Sequence, residues 1–357
     1  MSTSHDSRGR EQQIDALQKR LASTVESLVT GDDWRRSLEF AAKFRARSFR
    51  NTMLIAAQHI DEYAQGLVPN PTPTYVAGFR QWQGLGRSVI KGQHGYQLLA
   101  PVKARFASTT PADPDSWRRL ARGEKPRGGE AVRSKMVGVR VAYAFDISQT
   151  EGDPIPAPPQ PVKSTGTARE GLWDGLADQI TARGFDVRLV SDSRSLGGAD
   201  ARTEYLTRQV SVRMNMSDLE QATALCHELA HIMLHAPGNP DAVADAEAHR
   251  GVREVEAESV SLMVAAAHGL DTSRFTIPYV STWAGTVRDR DPVEVVQSTA
   301  ERVRATALAI LDKLDTERIG DGDPPGLTRE GTGHQSSFSL EGTPAMNWSK
   351  PVNRVEL

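Results

Sequence analysis

The 357-residue chain has a single cysteine, Cys226, which excludes an intramolecular disulfide framework and any zinc cluster built from thiolates. A metal would have to be held by histidines and carboxylates. No run approaches the roughly 20 apolar residues that span a bilayer. Met1 to Arg10 is polar with no apolar stretch behind it, so the expected setting is the cytoplasm, with no membrane partner. No internal repeat is visible. At roughly 150 residues per domain the length suits two domains.

Net charge is almost absent, at −2, but that balance hides a polarity. Residues 1–150 hold 23 Lys and Arg against 14 Asp and Glu, whereas residues 151–357 hold 20 against 31. A basic half suggests a polyanionic partner, nucleic acid or a membrane surface, unless it is only a solvated face.

Apolar residues Ile14, Leu17, Leu21, Val25 and Leu28 recur at helical spacing, predicting a helix over residues 11–29. A second, basic helix is predicted over 34–57. After Pro69, Pro71 and Pro73, residues 88–91 and 96–100 read as a hairpin around Gly92–Gly95. Residues 107–133 lack periodicity and read as a long loop before a strand at 136–147. A Pro-rich linker is expected at 151–165. Helix 169–183, strands 185–190 and 209–214, a motif helix, and helices 252–268 and 292–314 follow. The tail from 318 is poor in large apolar groups, so disorder is expected over 318–357.

Ser217-Asp218-Leu219-Glu220 is a capping box that should start the motif helix, and Pro237-Gly238 should end it. Within that helix lies His227-Glu228-Leu229-Ala230-His231. At i and i+4 the two imidazoles share a face and can share one metal, with Glu228 angled to serve as base toward water. The pattern also arises by chance, since paired helical histidines are often surface or core residues. A catalytic zinc usually has three protein ligands. Glu254 is the expected third, with Glu258 one turn on to orient an imidazole. Glu256 is read as a solvated charge, and His235 and His249 as weaker candidates. Tyr279 and His268 are candidate oxyanion donors, and Cys226 reads as core.

Single-stranded nucleic acid is held by a positive groove with aromatic faces. Arg47, Arg50, Asn51, Trp82, Arg87 and Lys91 are the candidate DNA-binding residues, in a segment that also carries Trp34, Tyr75, Phe79 and Tyr96. In an ordinary domain most of those aromatics would be core.

Taken together, Phe49-Arg50-Asn51, Trp82, Gly86-Arg87, Lys91-Gly92-Gln93-His94-Gly95, the His227–His231 motif and Glu254-Val255-Glu256-Ala257-Glu258 resemble the ArdC-like antirestriction proteins of mobile genetic elements. The last two motifs also look like the ImmA/IrrE class of bacterial metallopeptidases. The resemblance implies binding of transferred single-stranded DNA and its protection from host restriction. It does not cover residues 107–133 or the tail.

The expected architecture is α+β with two domains: a helical and β-hairpin single-stranded-DNA-binding domain at 11–150, and a zincin-like metallopeptidase domain at 166–317. Zn2+ is the expected cofactor, and an unknown protein the substrate of the hydrolase. The alternatives are a regulatory metalloprotease that cleaves a DNA-bound repressor, and a DNA-binding protein whose zinc site is not catalytic.

Overall fold

Side-chain caps set where the helices begin. Thr30 and Asp33 form a capping box that opens α2 (Gly31–Lys43) after α1 (Thr3–Glu26), and Ser48 accepts the Asn51 N–H to open α3 (Phe49–Ala64). The single helix expected over 34–57 is therefore two, because the Ser48 cap restarts the chain. The computed structural model describes residues 3–157, 168, 170–191, 194–237, 250–287 and 289–327.

Strands β1 (Val76–Gly78), β3 (Tyr96–Ser108), β4 (Arg118–Arg119) and β5 (Ala131–Asp146) form an antiparallel sheet in the order β1-β5-β3-β4. The short helix α4 (Phe79–Gly84) follows β1. The expected hairpin does not form, since β2 (Arg87–Val89) pairs with β6 (Thr150–Gly152) and β3 pairs with β5. The stretch expected to be a loop is partly ribbon: β3 and β5 stay paired out to Ser108↔Ala131, and β4 adds to the edge. On the β5 side every residue from Ala131 to Gly138 is exposed, so that strand lacks the alternation by which a half-buried strand is read.

After α5 (Leu172–Thr181), β7 (Asp186–Val190), β8 (Ala201–Glu204) and β9 (Gln209–Arg213) make a three-stranded sheet in the order β7-β9-β8, with β7 parallel and β8 antiparallel to β9. Then come α6 (Asp218–His235), α7 (Arg250–Ala267), α8 (Val280–Ala284) and α9 (Pro292–Leu311). No helix among the described residues is long and apolar enough to cross a membrane.

One apolar core joins both halves of the chain. Leu21, Trp34, Leu38, Phe49 and Leu54 share it with Leu229, Val260, Trp283 and Ile310. Fully buried Trp34 donates its indole N–H to Ser259 Oγ at 2.9 Å and meets Trp283 edge-on, with ring centroids 5.3 Å apart. At Gly31 a Cβ would fall 1.7 Å from the Ile277 carbonyl oxygen, so the backbone of α2 lies directly on the segment before α8. The division at 150–165 is thus not a boundary between separately cored domains: an amphipathic stripe shows that a helix has a buried face, not which helix covers it. Residues to Leu327 belong to one compact unit. The first ten residues of the expected tail are packed, with Ile319 N–H donating to Ala267 O at 2.9 Å and Asp323 paired with Arg47 at 3.1 Å. Residues 328–357 and the heart of the Pro-rich linker, 158–167, lie outside the described residues, although Ile155 packs with Trp82.

Candidate metal centre

The Ser217–Glu220 capping box fixes the start of α6, and the i, i+4, i+8 spacing puts His227, His231 and His235 on one face. That face meets α7. Thr223 O accepts from Ser261, His227 contacts Glu258, and His231 contacts Glu254, so the two helices run antiparallel. His227 Nε2 and His231 Nε2 lie 3.0 Å apart, and Glu254 Oε2 lies 3.5 Å from each. Ligand atoms around a tetrahedral ion with bonds of ~2.0–2.1 Å stand about 3.3 Å apart. The three residues fit one divalent cation, and among the described residues they are a His and carboxylate group close enough to share one. Burial opposes protonation of His227, but Glu254, Glu258 and Glu228 more than offset it and hold it up at about 9. His227 and His231 in turn hold the Glu254 carboxyl well below the usual carboxylate range. An ion that replaced the imidazole proton would meet the same negative surroundings.

The second ring nitrogens are also engaged. His227 Nδ1 is 3.2 Å from Glu258 Oε2. His231 Nδ1 faces His235 Nδ1 at 3.0 Å, and His235 Nε2 lies 2.8 Å from Glu256 Oε2. Burial keeps His235 below the usual imidazole value despite Glu256. A neutral His235 satisfies every bond when it accepts from His231 and donates to Glu256, which leaves His231 Nε2 as a bare lone pair toward the cation. Glu256 is 3% exposed, with Arg302 Nε donating to its other oxygen at 2.8 Å. Its reading as a solvated charge is corrected: the residue is the buried anchor of this chain of bonds.

Glu228 is buried at the back of an open cleft of about 910 Å³, where Thr203 Oγ1 donates to its Oε2 at 2.5 Å. Ala201, Arg202 and Thr203 of β8, an edge strand, line that cleft with Tyr205 and Arg253. Tyr279 and His268 do not line it. Tyr279 is exposed at the start of α8, and His268 is buried between Val264 O and Thr316. His249 lies outside the described residues. Cys226 is in the core, where burial pushes its thiol up to about 12.

The six DNA-binding candidates separate. Trp82 is fully buried and donates its indole N–H to Phe145 O at 3.0 Å, so it has no face to offer a base. Asn51 brackets Leu99, accepting its N–H at 2.9 Å and donating to its carbonyl at 3.0 Å. Arg87 ties β2 to β6 through Thr150 Oγ1 at 2.9 Å and Thr150 O at 2.8 Å. Arg47 bonds Val76 O and Asp323. Those four hold the fold, whereas Arg50 is half-buried and Lys91 exposed. Of the aromatics, Trp34, Tyr75 and Tyr96 are buried and Phe79 is exposed.

Residues 11–145 match the family model of the N-terminal domain of anti-restriction factor ArdC. The match spans α1 to β5 and ends before the centre on α6 and α7. An uncharacterized protein of Bacillus anthracis is 24% identical over 323 residues, which cover 86% of this chain and 52% of that protein. The chain therefore spans about half the length of this curated relative. Crystal structures of the antirestriction ArdC protein from the R388 plasmid are also similar, in metal-free and Mn(II)-bound forms. Each is 18% identical and covers 74% of this chain, with 84% and 83% of the crystallised chain covered and TM-scores of 0.43 and 0.42.

Thr203, Tyr205 and Arg253 escaped sequence reading because nothing in their spacing relates them to α6. The pairing of β8 with β9 brings Thr203 and Tyr205 to the cleft. Burial and then Glu228 push the Tyr205 phenol up to about 12, so it stays protonated and able to donate.

Proposed function

We propose that this chain binds single-stranded DNA and carries a metal-dependent peptidase-like centre, acting in antirestriction of transferred DNA. The observation that carries the catalytic part is the convergence of His227, His231 and Glu254 beside buried Glu228. The DNA part is supported by the match of residues 11–145 to the ArdC N-terminal domain and by the basic character of that half.

A divalent ion held there, zinc being the first choice for two imidazoles and a carboxylate, supplies Lewis acidity toward a peptide carbonyl. The chain's own residues do the rest. Thr203 fixes one oxygen of Glu228, leaving the other to accept the proton of an attacking water and return it to the leaving amine. Tyr205 donates toward the developing oxyanion. The edge of β8 suits an extended peptide added as a further strand.

The test is cleavage of a diverse peptide mixture by the metal-loaded full chain. Glu228→Gln should retain the metal and lose cleavage by ~100-fold or more, as expected for removal of a general base. Stoichiometric metal with no cleavage, and protection of transferred DNA unchanged in Glu228→Gln, would leave the DNA-binding reading alone. Affinity for unpaired oligonucleotides should fall steeply with salt, and absence of that binding would remove the DNA part.

A further inference from the structure

The ribbon formed by the outer halves of β3 and β5, with β4 and the connections at its tip, has no part in the centre on α6 and α7. From Lys103↔Met136 to Ser108↔Ala131 six residue pairs extend beyond a register shift at Val102/Lys103, or ~20 Å at ~3.4 Å per residue. Neither strand carries a carboxylate before buried Asp146, while Lys103, Arg105, Arg133, Lys135 and Arg140 are all exposed. The tip holds four carboxylates, of which Glu124 and Glu130 are taken by Arg118 at 2.6 and 2.8 Å. Among the described residues the five strand cations make no ion pair with any carboxylate.

The register decides how those charges point. Residues directly opposite share a face, so Lys103 and Arg105 lie on one face with Met136 and Ser134, while Arg133 and Lys135 lie on the other with Phe106 and Ala104. A platform for single strands gathers aromatics on one face. Here residues 100–140 contain Phe106 and Trp117, both partly buried, and the Trp117 ring is covered by the Arg133 guanidinium at 3.9 Å. Shielding of an exposed strand accounts for a lysine or two, not for cations on both faces with no carboxylate between them. Over Lys103 to Arg105 and their partners Ser134 to Met136, before β4 joins at Phe106, the ribbon is two-stranded, the element that a major groove ~12 Å wide admits, with phosphates on both walls.

We propose that the β3–β5 ribbon is a duplex-DNA-binding arm that enters the major groove and contacts phosphates from both faces. This goes beyond the single-strand binding proposed above and does not depend on the metal centre, so the chain can hold duplex and unpaired DNA at different places.

The experiment measures anisotropy of a labelled duplex and of the single strand of the same length with the full chain, across a salt series. The probe protein is wild type beside Lys103→Ala/Arg105→Ala/Arg133→Ala/Lys135→Ala. Wild type should bind the duplex, and the variant should lose ~100-fold or more in duplex affinity. Its salt slope should fall by up to ~3–4, at ~0.9 for each lost phosphate contact, with single-strand affinity unchanged. No duplex binding by wild type, an unaffected variant, or equal loss for duplex and single strand each overturns the arm. If the quadruple variant misfolds by circular dichroism, Lys103→Gln/Lys135→Gln decides: about half the slope change supports the arm, and none overturns it.

Discussion

At Glu256 the chain buries a carboxylate where helical spacing alone suggests a surface charge, and its two partners explain why it is tolerated. Arg302 neutralises one oxygen, and His235 engages the other at 2.8 Å. The residue would reach a metal held by His227, His231 and Glu254 only through His235 and His231, so its proposed role is positioning. Glu256→Gln should weaken Zn2+ binding by ~10–100-fold, the usual cost of losing an outer partner, as read by competition with a chromophoric chelator on folded protein. Unchanged affinity would remove the positioning role. Glu254→Ala should abolish stoichiometric metal by elemental analysis, while Glu258→Gln keeps the metal at reduced affinity. A third ligand elsewhere would reveal itself by zinc retained in Glu254→Ala. Spacing marks His227, Glu228 and His231 because a helix puts the two imidazoles on one face, with Glu228 angled beside them, whatever surrounds it. It does not mark His235 and Glu256 as partners, because that pairing needs the register between α6 and α7.

Helices α2 and α6 begin in the same way, and their capping carboxyls titrate alike. The Ser217 backbone N–H, then Arg274 and the Ser217 hydroxyl, hold Glu220 down at about 2; Thr30, followed by Arg36, holds Asp33 at about 2. A carboxyl depressed in the folded state contributes stability that is complete above its ordinary value near ~4.3 and is lost as pH falls toward its folded value. Between about pH 5 and 2, wild type should therefore lose stability more steeply than Glu220→Gln, as measured by denaturant midpoints over that range. Parallel curves would mean that the Glu220 bonds add nothing. Ser217→Ala should cost ~1 kcal/mol at neutral pH. The Ser217–Glu220 box is legible in sequence because both partners lie within four residues, while the Thr30–Asp33 box, which lacks the Glu or Gln of the usual pattern, emerges in the structure. The ribbon is the opposite case: its strands pair across the whole of residues 109–130, and on β5 the unbroken exposure of residues 131–138 leaves no alternation to read.

Across the whole molecule, the packing of α2 on α7 makes the two halves of the chain one folding unit. Trp34→Ala should cost ~3–5 kcal/mol, as for other large aromatic truncations in cores, and should lower the stability of the metal centre with that of the N-terminal helices. Tryptophan fluorescence and metal release should follow a single transition; two well-separated transitions would show that the halves are independent. Residues 1–150 produced alone should not fold cooperatively, because Trp34, Leu38 and Phe49 would lose Val260 and Trp283 as core partners. The sequence by itself determined the start of α6, the paired histidines with Glu228 between them and the division of charge along the chain, because each is written in local spacing or composition. Only the tertiary structure decided that Trp82 and Asn51 serve the fold, that β2 leaves β3 for β6, and that one core spans both halves. Those outcomes depend on which distant surface covers an apolar face or accepts a hydrogen bond, and a periodicity shows that such a face exists without naming its partner.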